Sequence, residues 1–137
     1  MNIDLVQPLG IGMRILIVED SPLVQNMYGL AFSRREHELT TPSDGRAALA
    51  ELADPGSHFD VILLDLLMPG MNGVEFLQEV RRDARLARIP IVLTTMEPEE
   101  SELLTEARRL GVTAVVKKPW HPHQLRDLVE AIVHGGG

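Results

Sequence analysis

Four short apolar runs of the sequence each end in side chains that could do chemistry. The runs do not alternate between apolar and polar residues, which is typical of strands buried on both faces of a parallel sheet. Because the carboxyl ends of parallel strands meet at one edge of the sheet, we expect the groups that follow them to lie together. The runs and these groups are Arg14–Val18 with Glu19 and Asp20, Asp60–Leu64 with Asp65, Ile91–Leu93 with Thr94 and Thr95, and Ala114–Val116 with Lys117 and Lys118.

The residue types at this edge predict a site for phosphoryl transfer. Three carboxylates placed together repel one another, and at least one takes up a proton unless a cation lies among them. Mg²⁺ relieves such repulsion, because it binds one or two carboxylates, keeps several waters and accepts a phosphoryl oxygen. Lys118 adds a point charge suited to a phosphoryl group, and a threonine hydroxyl can donate a hydrogen bond to it. Aspartate is a known covalent acceptor in this chemistry, in which positioning and charge neutralisation do most of the work.

Helical patterns separate the apolar runs and complete a repeating strand–helix order. A more polar segment, Glu38–Thr41, is the candidate for an edge strand. Asp44 is expected to cap the second helix and Gly111 to end the fourth. Five strand–helix alternations predict an α/β fold with a parallel sheet and helices on both faces. The predicted helices run from Pro22 to about Ser33, Asp44 to Ala53, Asn72 to about Asp83, Pro98 to Leu110 and His121 to His134.

Length and composition indicate one globular domain and exclude several classes of protein. The chain has 137 residues, of which 45% are hydrophobic, and a net charge of −7. This acidic balance disfavours binding to nucleic acid and attachment to a membrane surface. The sequence holds no cysteine, which excludes disulfides and thiolate metal sites and is compatible with the cytoplasm. We expect residues 1–12 to be an N-terminal extension, residues 13–134 the domain, and residues 135–137 a flexible tail.

The motifs, in this order, resemble the receiver domains of bacterial two-component response regulators. The resemblance runs from about Met13 to His134, and Gly45 with Ala48 and Leu49 also fits it. It implies a (βα)₅ flavodoxin-like three-layer sandwich with a five-stranded parallel sheet, and a phosphorylation switch rather than a conventional enzyme. The motifs that carry it are Glu19-Asp20, the segment DLLMPGMNG from Asp65 to Gly73, Thr95, and Lys118-Pro119.

The resemblance also implies a role for each site residue. Asp65 accepts the phosphoryl group from a phosphohistidine, and the domain itself catalyses this step and a slow autodephosphorylation. Thr95, rather than Thr94, is the switch hydroxyl, and Lys118 contacts the phosphoryl group and precedes a cis bond to Pro119. The Mg²⁺ ligands are Asp20, Asp65 and the backbone carbonyl of Leu67, with Glu19 acting mostly through a metal-bound water.

The partners implied by the resemblance are proteins. A sensor histidine kinase or a phosphotransfer protein supplies the phosphoryl group, within a two-component phosphorelay in the cytoplasm. A downstream protein binds the fourth helix, fifth strand and fifth helix when the domain is phosphorylated. No nucleic-acid or membrane partner is expected.

Some residues depart from the receiver pattern and keep other interpretations open. Met96 follows Thr95, where relatives carry a small residue, and could narrow the approach to Asp65. Val115 stands where many relatives carry an aromatic residue that moves with the switch threonine. Both leave open a receiver-like binding module that does not use phosphorylation. A hydrolase of the haloacid dehalogenase type is disfavoured, because it would need a second aspartate at Leu67.

Single residues of the site also have simpler interpretations. Asp20 alone could cap the helix that begins near Pro22. The resemblance implies that Leu67 and Glu97 stand where relatives tune the lifetime of the phosphoryl group. Trp120 is expected to pack against the last helix. Surface positions are expected for Lys117, His121 and His123.

Overall fold

Five parallel strands form one sheet, as the sequence predicts, and their order is β2-β1-β3-β4-β5. The computed structural model describes residues 12–135, so the predicted extension, apart from Gly12, and residues 136–137 lie outside the described part. The strands are β1 (Arg14–Val18), β2 (Glu38–Thr40), β3 (Val61–Asp65), β4 (Ile91–Thr95) and β5 (Ala114–Lys117). The helices are α1 (Pro22–Ala31), α2 (Gly45–Ala53), α3 (Gly73–Arg81), α4 (Glu102–Leu110) and α5 (Pro122–Gly135).

Side chains of the central strands alternate between two apolar layers, one on each face of the sheet. Leu16 and Leu64 belong to a layer closed by α2, α3 and α4. Ile17 and Leu63 belong to the opposite layer, closed by α1 and α5. Because β3 lies at the centre and its five residues are all buried, burial on both faces explains why its sequence is continuously apolar.

Helix α4 begins later than the sequence predicts. The expected start at Pro98 is wrong, because Ser101 caps the helix and its side chain accepts a hydrogen bond from the Leu104 N–H. Serine is a strong N-cap, and the residues from Pro98 to Ser101 form a turn closed by the Ser101 N–H and the Pro98 carbonyl at 3.0 Å. Of the acidic residues Glu97, Glu99, Glu100 and Glu102, only Glu102 lies in the first helical turn.

The other helix ends are set by short polar caps. Ser21, not Asp20, caps α1, since the Ser21 side chain accepts from the Val24 N–H, and this leaves Asp20 free of that role. Asp44 caps α2 as predicted. Gly111 ends α4 with a φ of 104°, a conformation that favours glycine. None of the helices within residues 12–135 is long and apolar enough to cross a membrane.

Candidate functional site

The three predicted carboxylates meet at the carboxyl edge of the sheet. Glu19 and Asp20 follow the last residue of β1, and Asp65 is the last residue of β3. One oxygen from each carboxylate lies within 4.8 Å of the other two. Glu19 and Asp65 are buried, with 2% and 7% exposure, whereas Asp20 is exposed. The cluster therefore has a buried floor and one side open to solvent, which suits a bound cation.

Lys118 enters this cluster from the end of β5. Its Nζ lies 3.1 Å from Glu19 Oε1 and 3.2 Å from Asp65 Oδ1. The Lys118 N–H donates to the Thr95 carbonyl at 2.9 Å, which ties its backbone to the end of β4. The Lys118–Pro119 peptide bond is cis, as predicted. One ammonium thus bridges two of the three carboxylates.

The charge balance of the site leaves Asp65 short of positive partners. Burial raises the pKa of Asp65 to about 6, with Glu19 adding to the rise and Lys118 opposing it. Burial alone lowers the pKa of Lys118, but Asp65 and Glu19 outweigh it and hold this pKa above its ordinary value. A single lysine therefore does not neutralise the three carboxylates, and a cation bound among them would supply the missing positive charge.

Thr94 and Thr95 point to opposite faces of the sheet, because side chains alternate along a strand. The Thr94 hydroxyl lies 3.2 Å from the hydroxyl of Tyr28 on α1, on the α1–α5 face. Thr95 Oγ1 accepts a hydrogen bond from the Glu97 N–H at 2.9 Å. This bond does not use the Thr95 O–H proton, and the predicted role of Thr95 as the switch hydroxyl stays a prediction.

The segment after β3 approaches the site closely through its backbone. The Leu67 backbone lies near enough to the Asp65 carboxylate to oppose the rise of its pKa slightly, and Leu67 is 48% exposed. Gly73 is packed so tightly that an added Cβ would lie 2.8 Å from Leu66 Cα and 2.9 Å from the Asp65 carbonyl oxygen. Glycine at this position lets α3 begin directly against the strand that carries Asp65. The predicted use of the Leu67 carbonyl as a metal ligand stays a prediction.

Met96 and Glu97 follow the last residue of β4. Met96 is 76% exposed, and whether it restricts access to Asp65 stays a prediction. The Glu97 carboxylate accepts from the Ser101 hydroxyl at 2.7 Å. Lys117 hydrogen-bonds the Glu97 carbonyl. An apolar hollow of about 240 Å³ beside the site is lined by Val24, Met27, Met96, Lys118, Pro119 and Trp120.

Three residues that support the site were missed in the sequence. The Ser21 N–H donates to Glu19 Oε2 at 3.0 Å, and Gln25 Nε2 donates to the Glu19 carbonyl at 2.6 Å, so the start of α1 orients Glu19. Tyr28 of the same helix contacts Thr94 beneath the site. Trp120 packs with residues of α5, as predicted, but its ring also lies against Tyr28. No local motif marks Tyr28, because its partner Thr94 is 66 residues away.

Comparisons with known proteins match this arrangement over most of the chain. A family model described as response regulator receiver domain matches residues 15–130. The chemotaxis protein CheY1 of Helicobacter pylori is 30% identical over 121 residues, which cover 88% of this chain and 97% of that protein. The structure of the chemotaxis response regulator CheY4 of Vibrio cholerae superposes with a TM-score of 0.78 at 32% identity, covering 88% of this chain and 98% of that one. The structure of the phosphorylated cyanobacterial phytochrome response regulator RcpA gives 0.74 at 31% identity, covering 88% and 91%.

Proposed function

Since the chain belongs to the response regulator receiver domain family, we propose that it accepts one phosphoryl group on Asp65 in a Mg²⁺-dependent reaction. The observation that carries this proposal is the convergence of Glu19, Asp20, Asp65 and Lys118 on one edge of the sheet. The protein is a phosphoacceptor in two-component signal transduction, and the phosphorylated relative RcpA supports the same modification here. The residue roles that follow are part of the proposal.

The donor set fits Mg²⁺, because it consists of hard oxygen ligands with an excess of negative charge. Asp20 and Asp65 would hold the ion through their carboxylates and Leu67 through its carbonyl, with Glu19 contributing through a water. When bound, Mg²⁺ would supply charge neutralisation for the phosphoryl oxygens. The raised pKa of Asp65 supports this assignment, since the protein alone leaves this carboxylate undercompensated.

The side chains divide the phosphotransfer step among them. An Asp65 carboxylate oxygen bonds to phosphorus as the bond from phosphorus to the donor imidazole nitrogen breaks, and the leaving imidazole remains on the donor protein. Lys118, already 3.2 Å from Asp65, pairs with a phosphoryl oxygen as the negative charge moves outward. Thr95 donates its hydroxyl proton to a second phosphoryl oxygen. The domain supplies this catalysis itself, and the donor is a sensor histidine kinase or a phosphotransfer protein in the cytoplasm.

Phosphorylation would act by shifting an existing equilibrium between two conformations. Thr95 accepts a hydrogen bond from the Glu97 N–H, and the Glu97 carboxylate accepts one from Ser101, which caps α4. Movement of Thr95 would therefore shift the start of α4. We therefore propose α4, β5 and α5 as the face that binds the downstream protein. Slow autodephosphorylation would require Glu97 to leave Ser101 before it could orient a water.

Intact mass after incubation with acetyl phosphate tests the proposed function. We expect wild-type protein to gain the mass of one phosphoryl group with Mg²⁺, and no gain when EDTA removes the metal. Asp65→Asn should gain none, whereas Asp127→Asn, whose side chain is exposed on α5, should react like wild type.

Beryllofluoride separates a slow reaction from an inactive site. This phosphoryl mimic should bind wild-type protein in the presence of Mg²⁺ and should not bind Asp65→Asn. If wild type gains no mass and also fails to bind beryllofluoride, the proposal is wrong, and the domain is a binding module that does not use phosphorylation.

A further inference from the structure

Tyr28 is the only tyrosine of the chain, and it lies fully buried beneath the site. Its hydroxyl is 3.2 Å from Thr94 Oγ1, and its ring centroid is 4.8 Å from that of Trp120, with 33° between the ring planes. Both partners are buried, Thr94 at 0% and Trp120 at 7% exposure. One side chain on α1 therefore contacts the end of β4, next to Thr95, and the segment that follows Lys118.

Each partner of Tyr28 lies next to a residue that would bind the phosphoryl group. Thr94 precedes Thr95 in β4 and is paired in register with Asp65 of β3. The Leu66 N–H also donates to the Thr94 carbonyl at 3.2 Å, so a shift of Thr94 would move the backbone directly after Asp65. Trp120, the other partner of Tyr28, lies two residues after Lys118.

The bond between Tyr28 and Thr94 is required by burial. Within residues 12–135 no buried side-chain nitrogen or oxygen lacks a hydrogen-bond partner, and the two hydroxyls satisfy each other. Burial raises the pKa of Tyr28, although the bond to Thr94 opposes the rise, so the phenol keeps its proton. A core of this kind could be filled by phenylalanine and valine, and a polar pair there adds a directional constraint that apolar packing lacks.

We propose that Tyr28 is a positioning residue for phosphotransfer at Asp65. Through its hydroxyl it fixes the end of β4, and through its ring it fixes the segment from Lys118 to Trp120. The Thr95 hydroxyl and the Lys118 ammonium are thereby presented to the phosphoryl group together. The inference rests on the proposed function and adds to it a residue that acts through Thr94 and Trp120.

Tyr28→Phe tests the inference, because it keeps the ring and removes only the hydroxyl. We expect the rate of phosphorylation by acetyl phosphate, per folded molecule at saturating Mg²⁺, to fall roughly three- to tenfold, the effect of one net hydrogen bond on a barrier. Mg²⁺ affinity should not change, because Glu19, Asp20 and Asp65 keep their places. Thr94→Val removes the same bond from the other side and replaces Tyr28→Phe if that variant does not fold.

A purely structural role would give a different pattern. Phe32→Leu is the matched control, since Phe32 is buried in the same α1–α5 layer and should lower stability without slowing phosphorylation per folded molecule. The double variant Tyr28→Phe with Thr94→Val removes both hydroxyls, so it should regain stability while its reaction stays slow.

The results separate this inference from the proposed function. The inference is overturned if Tyr28→Phe reacts like wild type per folded molecule, if Phe32→Leu slows the reaction equally, or if the double variant recovers the rate along with stability. A wild-type protein that takes up no phosphoryl group overturns the proposed function and this inference together. Normal reaction of wild type with an unaffected Tyr28→Phe overturns the inference alone.

Discussion

Removing the charge of Asp65 is expected to stabilise the metal-free protein near neutral pH. The pKa of Asp65 is about 6, against 3.8 for an ordinary aspartate. A difference of one pKa unit corresponds to about 1.4 kcal/mol, so an ionised Asp65 costs ~3 kcal/mol of folding free energy. The side chain is only 9% exposed, so solvent screens little of this cost.

Asparagine has nearly the size of aspartate and removes the repulsion by Glu19. Lys118 loses one carboxylate partner in Asp65→Asn but keeps Glu19 at 3.1 Å. Allowing for that weakened contact, we expect the variant to raise the free energy of unfolding by about 1–3 kcal/mol.

The sign of the pH dependence follows from the direction of the shift. Because the folded pKa lies above the unfolded value, rising pH removes the proton from the unfolded state first. The wild type therefore loses stability relative to Asp65→Asn as pH rises from 3.8 to about 6. The advantage of the variant should be absent below this interval and complete above it.

Urea unfolding of both proteins, with EDTA and then with saturating Mg²⁺, measures these differences. Mg²⁺ should stabilise wild type more than Asp65→Asn, because a ligand that binds only the folded state adds to its stability. Asp127→Asn serves as the control and should change little. The reasoning is refuted if Asp65→Asn is less stable than wild type in EDTA at neutral pH, or if its advantage is the same below pH 3.8 as above about pH 6.

Three further predictions address other parts of the molecule. Gly73→Ala should destabilise the protein by about 1–3 kcal/mol or more, because its Cβ would meet rigid backbone. Gly29→Ala, with nothing within 4 Å of the added Cβ, should stabilise α1 by up to about 1 kcal/mol. Urea unfolding measures both variants, and equal effects would contradict the close packing at Gly73. Burial lowers the pKa of His37, so the unfolded state binds more protons below pH 6.5, the ordinary pKa of histidine, and His37 takes away stability there. His37→Gln should therefore lose less stability than wild type as the pH falls through this range in urea unfolding, and the same loss in both proteins would refute this. Lys118→Met should slow phosphorylation by acetyl phosphate by roughly 10²-fold, measured by intact mass, and a rate equal to wild type would remove Lys118 from the mechanism.

The chemistry of the site could be predicted from the sequence because it depends on strand ends. A run of apolar residues locates a buried strand, and parallel strands bring their carboxyl ends to one edge. That rule places Asp65 and Lys118 together although they are far apart in the chain, and the structure confirms their contact at 3.2 Å. Glu19 and Asp20 were placed by the same argument.

Features that depend on competing local or distant partners could not be predicted in this way. Ser21 caps α1 in place of the sequence candidate Asp20, and α4 begins after Ser101 rather than at the predicted Pro98, because several neighbouring residues can each begin a helix. The contact between Tyr28 and Thr94 joins a helix to a strand 66 residues later. Only the packing of α1 on the sheet determines that contact, and the hydrophobic periodicity of the sequence does not indicate it.

Borohydride trapping followed by peptide mapping tests the central claim most directly. Borohydride reduces an aspartyl phosphate to an alcohol, which marks the acceptor residue permanently. After reaction with acetyl phosphate and Mg²⁺, we expect the mark on Asp65 and on no other residue, and its loss when Mg²⁺ is withheld. A mark on Glu19 or Asp20 instead, or no mark on protein that had gained the mass of a phosphoryl group, would contradict the assignment of Asp65 as the phosphoacceptor.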